Sequence, residues 1–215
     1  YFHCTSNNTI FGTQMKEFPT TNIPVVCDMS SDIFSRQLDF TKFDIIYAGA
    51  QKNMGPAGTT LVVIKEEILG KNGREIPSML DYAKHIKAES MYNTPPVFPV
   101  YASLLTLQWL KKLGGIAAIE KINNAKAELL YNEIDRNPLF KGAAVVEDRS
   151  NMNATFLLNN PEHAPIFDAM WKEAGISGLP GHRSVGGYRA SMYNAMPIES
   201  VQVLVDVMQA LEKAV

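Results

Sequence analysis

Ala48-Gly49-Ala50-Gln51-Lys52-Asn53-Met54-Gly55-Pro56-Ala57-Gly58 lies between two apolar runs, residues 43–48 and 59–65. Both runs are short, continuous and rich in β-branched or aromatic side chains, the pattern of strands buried on both faces. The segment 49–58 between them holds three glycines and a proline, with no helical period. It is too short for a crossover helix, so the second run is expected to return antiparallel to the first. Upstream, residues 23–28 form another apolar run ending at Asp28, and residues 1–5 read as a strand already under way. The expectation is a mostly parallel α/β sheet with one antiparallel strand.

The rest of the composition fits that frame. The chain has 215 residues, 46% of them hydrophobic, with 20 Lys+Arg against 22 Asp+Glu and a formal charge of −2. This is the apolar content of an ordinary globular core, with room for one large domain or two small ones. Near-neutral charge without a basic cluster argues against a nucleic-acid partner. No apolar stretch approaches the ~20 residues that span a bilayer, so a soluble, cytoplasmic protein is expected. Two cysteines, Cys4 and Cys27, and four scattered histidines make neither a disulfide framework nor a metal site. Because the first residues read as a strand in progress, the chain is expected to be the C-terminal part of a longer protein.

Residues 65–99 are loop-rich, broken by Gly70, Gly73, Pro77, Pro95, Pro96 and Pro99. Helices are expected over 100–113, stopped by Gly114-Gly115, and over 116–135. Strands are expected over 143–146 and 154–158, and a helix over 165–174 closed by Gly175. Pro197 opens a last helix with Ile198, Val201, Leu204, Val205, Met208 and Leu211 on one face. Trp109 and Trp171 fall in helical patterns and read as core or interface aromatics. Residues 1–114 are expected to form part of a large domain, and 115–215 a smaller α/β domain.

Chemistry concentrates at the strand ends. Asp28 closes one run and Lys52 follows the next, and ligands of open α/β sheets bind beyond the carboxyl ends of parallel strands. A primary amine and a carboxylate on one rim suit pyridoxal phosphate, whose aldehyde needs an amine and whose pyridine nitrogen needs an acid partner. The small residues around Lys52 would let backbone approach a flat ring, and Gln51 could donate its amide to a phosphate. Taken singly, Lys52 also reads as a solvated loop lysine, and Asp28 as a turn residue binding its own backbone at Ser30 or Ser31. Arg183 and Arg189, separated by Val185-Gly186-Gly187, could serve one anionic pocket if the glycines bend the strand. Otherwise they are exposed strand arginines. His182 alone reads as a structural hydrogen bonder, and Arg36 lies close enough to Asp28 to be considered for a phosphate.

Four segments together resemble a known family: Asp28-x-Ser30-Ser31; Ala48 to Gly58 as quoted; Asn93-Thr94-Pro95-Pro96; and Gly181-His182-Arg183-x-Val185-Gly186-Gly187-x-Arg189-Ala190-Ser191-x-Tyr193-Asn194-Ala195. They are similar to the phosphoserine aminotransferases, fold-type I pyridoxal-phosphate enzymes of the class V aminotransferase group. The lysine segment points to the wider group and the 181–195 segment narrows it. The resemblance implies a fold-type I large-domain sheet, mixed but mostly parallel, with a small C-terminal α/β domain.

It also implies roles. Lys52 matches the lysine that joins the cofactor and moves the substrate proton, Asp28 the partner of the ring nitrogen, and Gln51 a contact to the cofactor phosphate. Thr9 matches a threonine near the ring oxygen. Asn93 and Thr94 match a pair reaching the neighbouring subunit's cofactor, which implies a homodimer. His182 and Arg183 match residues near a substrate phosphate, and Arg189 the clamp on the α-carboxylate. The implied substrates are glutamate and a phosphorylated keto acid, 3-phosphohydroxypyruvate, with serine biosynthesis as setting and pyridoxine biosynthesis as a second one. The family's N-terminal portion, with its phosphate-cradling helix start, stacking aromatic and a further His-Arg pair, has no counterpart here. Two rivals stand beside this reading: another class V transaminase, such as an alanine–glyoxylate type, and a cofactor-free fragment serving only as a dimerisation core.

Overall fold

Strand β1 (Phe2–Thr5) leads into a hairpin of two-residue strands, β2 (Asn7–Asn8) and β3 (Thr13–Gln14), and then into β4 (Val25–Asp28) and β5 (Ile45–Gly49). A single helical turn, α1 (Ala50–Asn53), precedes β6 (Thr60–Ile64). This computed structural model describes residues 1–71 and 73–215. The sheet order is β1-β4-β5-β6. β1, β4 and β5 are mutually parallel, with Thr5 opposite Asp28 and Asp28 opposite Tyr47. β6 runs antiparallel to β5, as the short 49–58 segment requires.

Alternation along the strands gives the sheet two unlike faces. Cys4, Val25, Cys27, Ile46 and Ala48 point to one side and are buried with Phe18, Met29, Ile33, Phe43 and Met54. At roughly 1.5–3 kcal/mol for each fully buried large apolar side chain, this layer holds the sheet together. His3, Thr5, Asp28 and Tyr47 point to the other side, where they are exposed or half-buried. Cys4 and Cys27 are opposite one another in the β1–β4 register and remain free thiols. Burial pushes both above the usual thiol range, which keeps them protonated and inert.

A short helix, α2 (Tyr82–Lys87), interrupts the loop-rich stretch, and then the long helices follow: α3 (Val97–Leu113) and α4 (Ile116–Arg136). α3 begins three residues before the expected start and carries Pro99 in its first turn, where a missing N–H costs nothing. Gly114 takes the left-handed geometry that stops it, with φ of 113°. Only Ser103 and Leu110 of α3 are buried, so Trp109 belongs to an uncovered face, whereas Trp171 is buried in the second core.

That core is built on the three-stranded sheet β7 (Phe140–Gly142), β8 (Asn153–Leu158) and β9 (Tyr188–Ser191), antiparallel throughout. α4, α5 (Ala164–Glu173) and α6 (Ile198–Ala214) pack with it. Phe140, Phe156, Phe167 and Tyr188 form its centre, with Phe167 edge-on to Tyr188 at 4.8 Å between ring centres. The strand expected over 143–146 is not there. Pairing with β8 ends at Gly142, and Val145 and Val146, 63% and 66% exposed, turn outward instead. Arg149 occupies the space beside Gly142 and is held by Asp135 at 2.6 and 2.7 Å, which diverts the chain off the sheet.

The hairpin turn docks on the second unit. Gly12 has φ of 71°, and a Cβ placed there would lie 2.4 Å from Thr155 Oγ1 and 2.8 Å from the Asn153 carbonyl oxygen. Gly12→Ala is therefore expected to cost about 2–4 kcal/mol from backbone strain and overpacking. The midpoint in a thermal unfolding scan should fall by about 5–15 °C.

Candidate active site

The carboxyl ends of β1, β4 and β5 lie side by side, and each hands the chain to one group of the candidate site. After β1 comes the β2–β3 hairpin with Thr9. β4 ends on Asp28 itself. After β5 comes α1 with Gln51 and Lys52. Cross-bonds lock these ends together. The Ser6 amide donates to the Asp28 carbonyl at 3.0 Å, the Ser30 amide to Asp28 Oδ1 at 2.8 Å, and the Gly49 amide to Ser30 Oγ at 3.0 Å. Asp28 is thus a turn-forming residue and a rim carboxylate at once, since binding Ser30 fixes its orientation. On its open side stands Tyr47, whose phenol is pushed above its usual range by burial and by the Asp28 carboxylate, and which shares a hydrogen bond with His3 Nε2 at 2.9 Å. Lys52 is half-buried, and among the described residues its amine has no hydrogen-bond or ion-pair partner. Along this rim His3 is exposed and Asp28 and Tyr47 are half-buried.

Arg189 comes from the other unit. It sits on β9, and its guanidinium donates to the Thr9 carbonyl at 3.0 Å, which carries the arginine to the hairpin beyond β1. Its Nε is buried without a partner, and it also lines a cavity of about 120 Å³ with Leu179, Met192 and Met196. His182 and Arg183 lie on the loop just before β9. The Gly181 amide bonds the Gly187 carbonyl at 2.8 Å, closing the loop, and Gly187 has φ of 57° with no space for a Cβ against the Phe156 carbonyl. The glycines do bend the chain between the two arginines. His182 Nδ1 accepts the Ser184 amide at 3.2 Å, so its proton sits on Nε2 in the neutral ring. Arg183 is exposed.

Not every expected residue joins this cluster. Asn93 and Thr94 are exposed, Asn93 Nδ2 donates to the Thr94 carbonyl, and among the described residues no hydrogen bond links them to the rim. Pro96 and Pro99, just beyond them, lie over Gly58 at the end of the lysine loop. Arg36 belongs elsewhere. It pairs with buried Asp32 at 3.1 Å, donates to the Met15 carbonyl at 2.8 Å and lies over the Phe18 ring. Its Nη2 is committed to these two acceptors, and its Nε is buried away from the rim without a partner among the described residues.

Sequence reasoning gave no role to a set of buried amides that holds the two units in register. Asn7 Nδ2 donates to Ser31 Oγ and to Asn153 Oδ1, both at 2.9 Å, while Asn153 donates on to Ser191 and Tyr193. Asn53, next to Lys52, donates to the Ile33 carbonyl at 2.6 Å and accepts the Asn194 amide at 2.9 Å. A signal existed for part of this. Asn123 and Lys126 interrupt the apolar stripe of α4 at the helical spacing Ile119, Asn123, Lys126, Leu130.

The aminotransferase class-V family matches residues 1–204. The chain belongs to this family. It is 86% identical over all 215 residues to a phosphoserine aminotransferase of Flavobacterium johnsoniae, and it spans about 60% of that relative's length. Among solved structures, the phosphoserine aminotransferase from Bacillus circulans subsp. alkalophilus superposes with a TM-score of 0.95 at 44% identity, over the whole chain and 60% of the partner structure. A pyridoxal-phosphate-bound phosphoserine aminotransferase from Trichomonas vaginalis gives 0.91 at 37% identity, over 97% of this chain and 60% of that one. The fold is accordingly that of the fold-type I aminotransferases, here a mostly parallel sheet with its antiparallel β6. Among the described residues no helix of this class-V member is long and apolar enough to cross a membrane.

Proposed function

We propose that the full-length protein is a pyridoxal-phosphate-dependent transaminase that moves the amino group of glutamate to 3-phosphohydroxypyruvate, yielding 2-oxoglutarate and phosphoserine. The observation that carries this reading is the convergence of Thr9, Asp28 and Gln51-Lys52 on three adjacent parallel strand ends, with Arg189 tied to the first of them. The similarity to named phosphoserine aminotransferases supports the same reaction. The donor set fits the cofactor: an amine without a partner among the described residues, and a carboxylate that the Ser30 amide holds by one oxygen. When bound, pyridoxal phosphate supplies an electron sink for the pair left at the substrate Cα.

The chain's own groups do the remainder. Lys52 Nζ would hold the cofactor through its aldehyde carbon, and as a free amine it would move the proton off and onto substrate carbon. Asp28, oriented by the Ser30 amide, holds the proton at the ring nitrogen. Gln51 donates to the cofactor phosphate. Arg189 is pinned by the Thr9 carbonyl through Nη1, which leaves its Nη2 to grip the α-carboxylate common to both substrates. His182 Nε2–H and the Arg183 guanidinium receive the substrate phosphate. Serine biosynthesis in the cytoplasm is the setting this chemistry suits, and a pyridoxine-pathway phosphorylated keto acid has the same recognised groups.

A homodimer belongs to the same proposal. Asn93 and Thr94 are exposed, and the neighbouring α3 leaves Val97, Phe98, Tyr101, Leu104 and Trp109 between 40% and 72% exposed. A second copy would cover this surface and bring the two residues to its partner's cofactor.

Steady-state assays of the full-length protein test the reading. Glutamate with 3-phosphohydroxypyruvate should give parallel double-reciprocal lines, and glyoxylate should be a poor acceptor. Preference for glyoxylate would transfer the protein to the alanine–glyoxylate type, and a colourless protein without turnover would leave only the dimerisation core. Arg189→Ala should raise KM for both acids about 10- to 100-fold, because each loses one charge-assisted grip on its carboxylate.

A further inference from the structure

Lys126 is among the largest fully buried side chains of the described residues. It stands on the inner face of α4, and its ammonium donates to three carbonyls of one loop: Met192 at 3.0 Å, Tyr193 at 2.9 Å and Met196 at 3.1 Å. Burial without a carboxylate partner pulls its pKa down to about 8. So expensive a placement calls for a reason. The loop it grips is the one that follows β9, and it carries Asn194.

Asn194 is the hub of the amide network. Its backbone N–H donates to Asn53 Oδ1 at 2.9 Å, its side chain donates to the Phe34 carbonyl at 3.0 Å, and its Oδ1 accepts Asn123 Nδ2 at 2.8 Å. Asn53 and Asn123 take the flanking carbonyls of Ile33 and Ser35 at 2.6 and 3.0 Å. Three successive carbonyls are thus satisfied by three asparagines from three different elements. Phe34, in the middle, is held at φ of 59°, a conformation an aromatic residue rarely adopts. One end of the network is Asn53, the residue after Lys52 and the last of the one-turn helix α1. A single turn has too few internal hydrogen bonds to fix its own position. The direction of the Lys52 side chain is set by what holds Asn53.

We propose that Lys126 is a positioning residue for the Lys52 amine: it fixes the 192–196 loop, whose Asn194 clamps Asn53 and with it the turn that carries Lys52. Lys126 touches neither cofactor nor substrate and acts through two intermediaries. The inference rests on the function proposed above, in which Lys52 bonds to the cofactor aldehyde.

The test uses the cofactor-free full-length protein. Covalent attachment of added pyridoxal phosphate to Lys52 is timed by borohydride quenching and mass spectrometry, well below each variant's melting midpoint. Lys126→Met, which keeps length and bulk but removes the donor, should slow attachment by about 2- to 30-fold. Asn53→Ala should slow it in the same range. Because both act along one route, the double variant should be within about twofold of the slower single one. A folded Lys126→Met protein that attaches cofactor at the wild-type rate overturns the proposal, whatever its melting midpoint, and so do single effects that multiply in the double variant. If Lys126→Met fails to fold, Asn53→Ala decides: a wild-type rate overturns the proposal, and a slowed rate supports it. A wild-type protein that never attaches the cofactor overturns the proposed function and this inference together, which separates that failure from the others.

Discussion

Lys52→Ala in the full-length protein is expected to abolish transamination, by about 10⁴-fold or more, because in the proposed mechanism one side chain supplies both the covalent tether and the proton carrier. Borohydride reduction should no longer fix cofactor to the protein. The fold should survive, since the half-buried amine makes no hydrogen bond or ion pair among the described residues. A melting midpoint within a few degrees of wild type, alongside lost turnover, is the expected pair of results. Retained turnover with retained attachment would remove Lys52 from the mechanism.

The second large effect is at Asp28. Asp28→Asn keeps an oxygen to accept the Ser30 amide, now at 2.8 Å from Oδ1, so the turn after β4 should form as before. What would disappear is the negative charge proposed to keep the ring nitrogen protonated. Loss of a preorganised electrostatic partner of this kind costs about 10²–10³-fold in kcat. Cofactor attachment to Lys52 should persist, because that step needs the amine and not the carboxylate. The two variants therefore separate the roles: one loses the tether, the other keeps it and loses the rate. Equal turnover of Asp28→Asn and wild type, measured at saturating substrates, would place the ring nitrogen elsewhere.

Much of this was legible in the sequence, and the exceptions have physical causes. Strand ends at Asp28 and after Ala48 follow from apolar runs meeting glycine and serine, and the antiparallel return of β6 follows from a connection too short to cross over. α1 is invisible to periodicity because four residues hold barely one turn. The β2–β3 hairpin, with two-residue strands, leaves no alternation to detect. The apolar residues at 143–146 looked like a strand, but what ends β7 is a tertiary event, the Arg149–Asp135 pair standing beside Gly142. Arg36 was placed near Asp28 by sequence distance, yet burial of Asp32 claims it. The asparagine network was the least visible part. An amide that caps a distant carbonyl has the same composition as one in a solvated turn, and only the fold tells them apart.

The bond from Arg189 to Thr9 joins positions 180 residues apart, and this has a consequence in time. Closing so long a loop is paid in chain entropy before any contact rewards it. On the ribosome the β1-β4-β5 sheet can begin to condense early, but the Arg189–Thr9 bond stays unmade until β9 has emerged. The sheet therefore takes shape well before Arg189 is anchored beside it, and the acid selectivity proposed for that arginine would come last.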